Sequence, residues 1–171
     1  MAYGRTARRG GAYNRLAEPA WADPLDTSYA RERGGRWNAP GTFGVLYLNG
    51  SPAVARAQAR HKLAGHPYGI EDLEASEQHD LVDVDVPEGD QLDCVTDAGL
   101  AAVGLPASYP RTAGHADCRP VGAAARADGR PGVACRSAAA PGEGEELAVF
   151  DTAAGGVVMT GRRRFADWYY D

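Results

Sequence analysis

From His79 to Pro87 the chain reads His-Asp-Leu-Val-Asp-Val-Asp-Val-Pro, with apolar and polar side chains alternating at a period of two and Leu81 out of step. That alternation belongs to a strand with one buried face, and it is the clearest element in the sequence. Around it the chain offers further short strands: Gly44–Asn49, Gly132–Ser137, Glu145–Asp151, and Val157–Thr160 as the second arm of a hairpin with the last of these. A shorter strand is expected near Tyr13–Leu16. Helices are fewer. Ser51-Pro52 places an N-cap serine before an N1 proline and predicts a helix to about Leu63, stopped by Gly65. Short helices are predicted over Asp97–Val103 and Arg119–Asp128, and Phe165–Tyr170 supplies aromatic packing at the end. Strands outnumber helices and their order is irregular, so the fold class is α+β and not a wound parallel sheet.

At 171 residues the chain fits one domain. The basic run Met1–Gly10 reads as a flexible lead-in, and residues 11–171 as the single domain. Eighteen basic against 23 acidic residues leave a net charge of −5, which argues against a dedicated nucleic-acid binder. No apolar stretch is long enough to span a membrane, and no apolar segment follows the N-terminal arginines as a secretory signal requires. The three cysteines, Cys94, Cys118 and Cys135, are widely spaced and match no metal-ligand pattern, so a reduced, cytoplasmic, metal-free protein is expected. Lys62 is the only lysine, a skew that follows from a GC-rich genome except where an arginine fork is needed on phosphate or carboxylate oxygens.

The most informative stretch is Gly34-Gly-Arg-Trp-Asn-Ala-Pro-Gly41. Its glycines and Pro-Gly turn let backbone approach a ligand, Arg36 offers a planar donor fork, and Trp37 offers a large ring. The alternative is that Trp37 fills core and Arg36 satisfies loop carbonyls. With Arg15 before it, and Leu46-Tyr-Leu48, Ser51-Pro-x-x-Ala55, Gly129–Val133, Arg136-Ser137 and Leu147-x-x-Phe150 after it, this block resembles the RES domain family over about residues 12 to 151. The Gly34–Ala55 portion is the specific part of the match.

The resemblance implies a small split β core with surrounding helices, similar to bacterial ADP-ribosyltransferase toxins. It implies a cytoplasmic bacterial toxin of a toxin–antitoxin pair, with an Xre-type antitoxin as partner, and a homodimer left open. The implied activity consumes NAD as substrate, by hydrolysis or phosphorolysis of the nicotinamide–ribose bond, or by transfer of ADP-ribose to a protein. On that basis Arg15 and Arg36 are the clamp for the pyrophosphate, Trp37 and Tyr47 the aromatic surfaces, and Arg36, Tyr47, Gln58 and Ser137 the catalytic set.

Gln58 departs from the family, whose glutamate falls seven residues beyond the serine matched by Ser51. An amide can hold a ribose hydroxyl but brings no charge to a cationic, oxocarbenium-like sugar. Ala116 and Asn14 are smaller departures, at positions where the family has a hydroxyl and a tyrosine. A second reading is therefore a degenerate module that binds a dinucleotide or an antitoxin-like partner without turnover. His61, one turn from Gln58, and His115 are auxiliary candidates. The acids of Glu143–Glu146 read as solvated loop charge, and Arg162–Arg164 as exposed, at most facing an acidic partner.

Overall fold

The computed structural model describes residues 2–171. Six strands form one mixed sheet: β1 (Thr6–Ala17), β2 (Val45–Asn49), β3 (Asp80–Cys94), β4 (Gly132–Arg136), β5 (Glu145–Phe150) and β6 (Val158–Arg163). Their order is β1-β2-β5-β4-β3-β6, and β1 also pairs with β3, so five strands close on one another and β6 lies outside. The helices are α1 (Ser28–Arg33), α2 (Pro52–His61), α3 (Asp97–Ala102), α4 (His115–Ala127), α5 (Asp151–Ala154) and α6 (Phe165–Trp168). This is the α+β class that the sequence predicts. None of the helices among the described residues is long and apolar enough to cross a membrane.

The alternation that begins at His79 does not stop at Pro87. β3 continues to Cys94, because Pro87 and Glu88 together stand opposite Gly10 at a register shift that absorbs the proline's missing N–H. The expected lead-in is therefore corrected from residue 6 onward: Thr6 pairs with Leu92, Ala7 with Gln91 and Arg8 with Asp90. A basic run reads as a solvated tail until its acidic counterpart is found. Here Arg8 meets Asp90 at 3.1 Å, and Arg9 meets Glu145 at 2.9 Å.

The expected hairpin between Glu145–Asp151 and Val157–Thr160 does not form. Both edges of β5 are taken, by β2 and β4, and α5 turns the chain so that β6 joins the free edge of β3. Arg162 and Arg163 are likewise not a free basic patch. Arg162 donates to Asp80 at 2.8 Å and to the carbonyls of Glu18, Pro19 and Trp21, while Arg163 holds Asp83.

α2 forms as its caps predict, with Ser51 Oγ accepting from the Val54 N–H at 3.2 Å and Pro52 in the first turn. α4 begins at His115, one turn before the expected start, with Asp117 accepting from the Gly114 N–H. Three apolar clusters result. One draws Leu46, Leu48, Val82, Val84, Ala134 and Leu147 from the strands of the closed ring. A second packs Trp37, Phe43, Leu100, Tyr109, Val121 and Phe150 under α3 and α4. The third explains Leu81: it leaves the alternation to pack with Ala55 and Ala59 of α2 and with Phe165 and Trp168 of α6.

Candidate functional site

The loop from Gly34 to Gly41 is held by its own polar groups. Gly34 adopts φ +72° and closes α1 by donating its N–H to the Ala30 carbonyl at 2.8 Å. Asn38 is fully buried and donates from Nδ2 to the carbonyls of Ala30 and Phe43, at 2.8 and 2.9 Å. Its Oδ1 accepts from the Tyr47 hydroxyl at 2.7 Å, and that hydroxyl accepts from the Trp37 N–H at 3.0 Å. A side chain at Gly35 would run into the Tyr47 hydroxyl, and one at Gly122 into the Trp37 carbonyl. Tyr47 thus staples the loop to β2, and its burial pushes the phenol well above its ordinary range. Arg119 adds a bond from α4 to the Gly35 carbonyl at 2.9 Å.

Beside this loop lies a cavity of about 360 Å³, ample for part of a nucleotide. Arg15, Arg36, Trp37, Tyr47 and Gln58 all line it, as do His61 and His115. The Arg36 guanidinium donates to the Ala113 carbonyl at 3.0 Å and lies 5.8 Å from the Tyr109 ring centre. Arg15, only 9% exposed, donates from Nη1 to the Tyr47 carbonyl at 3.3 Å and stacks 5.5 Å from the Trp21 ring. Its Nε has no partner, and neither arginine has an ion pair among the described residues. Burial lowers the Arg15 pKa to about 10, with Asp23 and Asp26 opposing, so it stays a cation at neutral pH.

Trp37 takes the core role that the sequence left as its alternative. It is 1% exposed and tilted against Tyr109 at 5.9 Å, so its ring presents almost no surface to a ligand. The aromatic rim is formed instead by Trp21 and Tyr29, whose ring centres lie 6.3 Å apart. Ser137 is fully buried and does not line the cavity; its Oγ accepts from the Ala140 N–H at 3.1 Å. Gln58 does line it, with Oε1 accepting from Asn49 Nδ2 at 2.9 Å. The second polar atom of Asn49, Oδ1, is buried without a partner.

One lining residue departs from the expectation of solvated loop charge. Glu146 stands in register with Asn49 on one side and Cys135 on the other, so its side chain shares their face of the sheet. It accepts from the Ala138 N–H at 3.1 Å. Burial raises its pKa, against the hydrogen bond from the Ala138 N–H, the polarity of the Ser137 hydroxyl and the charges of Arg36 and His61. Its neighbour Glu145 points to the other face, to Arg9. The alternation of β5 carries this signal, since Glu146 and Ala148 must share a face, but which face is set by pairing with β2 and β4. Lys62, at the end of α2, is a further cationic lining residue. No cluster of three or more His, Cys, Asp or Glu side chains able to hold a metal ion occurs among the described residues.

The fold has a solved counterpart. A chain in the crystal structure of the M. tuberculosis MbcT–MbcA toxin–antitoxin complex superimposes with a TM-score of 0.79 at 22% identity, over 97% of this chain and 92% of that one. No curated protein sequence is significantly similar to this one. The RES domain profile, however, matches residues 9–168, nearly the whole chain and all the cavity-lining residues. The protein therefore belongs to the RES domain family.

Proposed function

We propose that the protein is a toxin-like RES protein that binds NAD in this cavity and breaks its nicotinamide–ribose bond in the cytoplasm, with an antitoxin protein of the Xre type as its partner. The observation that carries the reading is electrostatic. In a chain of net charge −5, the cavity gathers Arg15, Arg36 and Lys62 against the single acid Glu146, and Arg15 reaches it buried and without an ion pair. A buried cation without an ion pair is costly unless an anionic ligand completes it. A dinucleotide pyrophosphate supplies that anion, and two arginine forks suit its oxygens. The partner is inferred from the family and from the toxin–antitoxin complex in which the similar fold was solved.

In this reading Arg15 and Arg36 hold the pyrophosphate. The Tyr47 ring, its hydroxyl already committed to Trp37 and Asn38, offers a flat surface to the nicotinamide. Gln58 has its carbonyl oxygen committed to Asn49 and its amide available for a ribose hydroxyl. The C1′–N bond breaks with its electron pair leaving on nicotinamide, which departs neutral. Water or phosphate then takes the ribosyl cation, releasing a proton in the case of water.

The test is nicotinamide release from NAD by the purified protein, with and without phosphate, beside calorimetric NAD binding. Arg15→Ala and Arg36→Ala are each expected to weaken binding on the order of tenfold or more. Unchanged affinity in both variants would overturn the cavity assignment. The neutrality of Gln58 favours one rival, a module that binds NAD without cleaving it. Tight binding with no release, phosphate present or absent, would establish that rival.

A further inference from the structure

We infer that Glu146, on β5, supplies the carboxylate of this site. The inference rests on the NAD-cleaving reading and deepens it. Breaking the C1′–N bond leaves positive charge on the ribose ring, and a fixed negative charge facing that ring lowers the barrier more than any neutral group. Gln58 cannot supply it. Among the residues lining the cavity Glu146 is the one acid, facing a wall otherwise furnished with cations.

Its placement is built. The Ala138 N–H binds the carboxylate at 3.1 Å, fixing its orientation and favouring its ionised form. In the β2–β5 register it lies directly across from Asn49, the residue bonded to Gln58. The negative charge thus stands one strand over from the helix position where the family has its glutamate.

The charged and titratable groups facing Glu146 are Arg36 from the loop after α1, His61 from α2 and Cys135 from β4. Arg36 and His61 favour ionisation; burial opposes it and dominates. Activity is therefore expected to fall on an acid limb above the range of an ordinary glutamate. His61→Gln should leave that limb in place.

The experiment measures nicotinamide release and NAD affinity together. Glu146→Gln should lose release on the order of a hundredfold or more, with affinity little changed. Glu145→Gln, an equal change of charge on the opposite face, should release nicotinamide at the wild-type rate. The double variant Glu146→Gln with Gln58→Glu should regain much of the lost rate, because it returns a carboxylate to the same cavity. Retained turnover in Glu146→Gln overturns the inference and leaves NAD cleavage standing. A wild type that binds NAD but releases none overturns the cleavage reading, and this inference with it. A wild type that fails to bind NAD defeats the ligand assignment itself, a distinct result. Circular dichroism and NAD affinity separate a folding failure of Glu146→Gln from a chemical one.

Discussion

The loop wall of the cavity and the wall facing it treat their polar atoms differently. In the loop, Asn38 spends Nδ2 and Oδ1, and the Tyr47 hydroxyl both accepts and donates, all within the protein. Across the cavity, Arg15 Nε is buried with nothing to bind, and burial works against a negative charge on Glu146. A satisfied wall gains stability and a fixed shape. The other wall gives up stability to keep groups ready for a ligand. Substitutions of the committed residues Trp37, Asn38 and Tyr47 should therefore show in unfolding, and those of Arg15, Arg36 and Glu146 chiefly in binding or turnover.

The strongest attack on the loop wall is Trp37→Ala. It empties a 1%-exposed site in the core and should cost about 3–5 kcal/mol in urea unfolding. A loss below about 1 kcal/mol would mean that the ring is not the anchor described. Gly122→Ala presses a methyl group into the Trp37 carbonyl and should cost about 1–3 kcal/mol. It should also weaken NAD binding, because the loop must move with Trp37. Tyr47→Phe leaves the Trp37 N–H and Asn38 Oδ1 without their shared hydroxyl, for a loss of about 1–3 kcal/mol.

The smallest effect should carry the opposite sign. In the folded protein the Glu146 carboxyl titrates above its ordinary value, so the folded state binds that proton more tightly than the unfolded chain. The associated stability is fully present below the unfolded value of about 4.3 and is lost as pH rises through the folded one. Glu146→Gln should consequently unfold at a higher midpoint than wild type at pH 7, an advantage that vanishes toward pH 4. A lower midpoint at pH 7 would place Glu146 with the satisfied wall and erase the contrast.

The loop wall is also the part most legible in the sequence. Gly34, Arg36, Trp37, Tyr47 and Ser51 lie close together, and their roles are local: a positive φ, a staple, a cap. α2 and the α+β class were readable for the same reason. What could not be read depends on pairing between distant segments. Residues 6–10 pass for a tail until β3 is seen to run on to Cys94, and Val157–Thr160 passes for a hairpin arm until both edges of β5 are found occupied. Glu146 belongs with these. Its neighbour Glu145 has the same chemistry, and only the register of β5 decides which of the two meets the cavity and which meets Arg9.

The closed ring has one thin seam. β1 pairs with β3 along most of its length, yet meets β2 at a single residue pair, Asn14 and Asn49. One position further along β1, Arg15 reaches across with its side chain to the Tyr47 carbonyl, where a ladder would have placed backbone. Amides on the β1-facing edge of β2 thus have little ladder to shield them, and local opening there breaks few bonds. A ligand that engages Arg15 would draw β1 and β2 together from within. Slower hydrogen–deuterium exchange along that edge, on binding, would report the ring being fastened by what it holds.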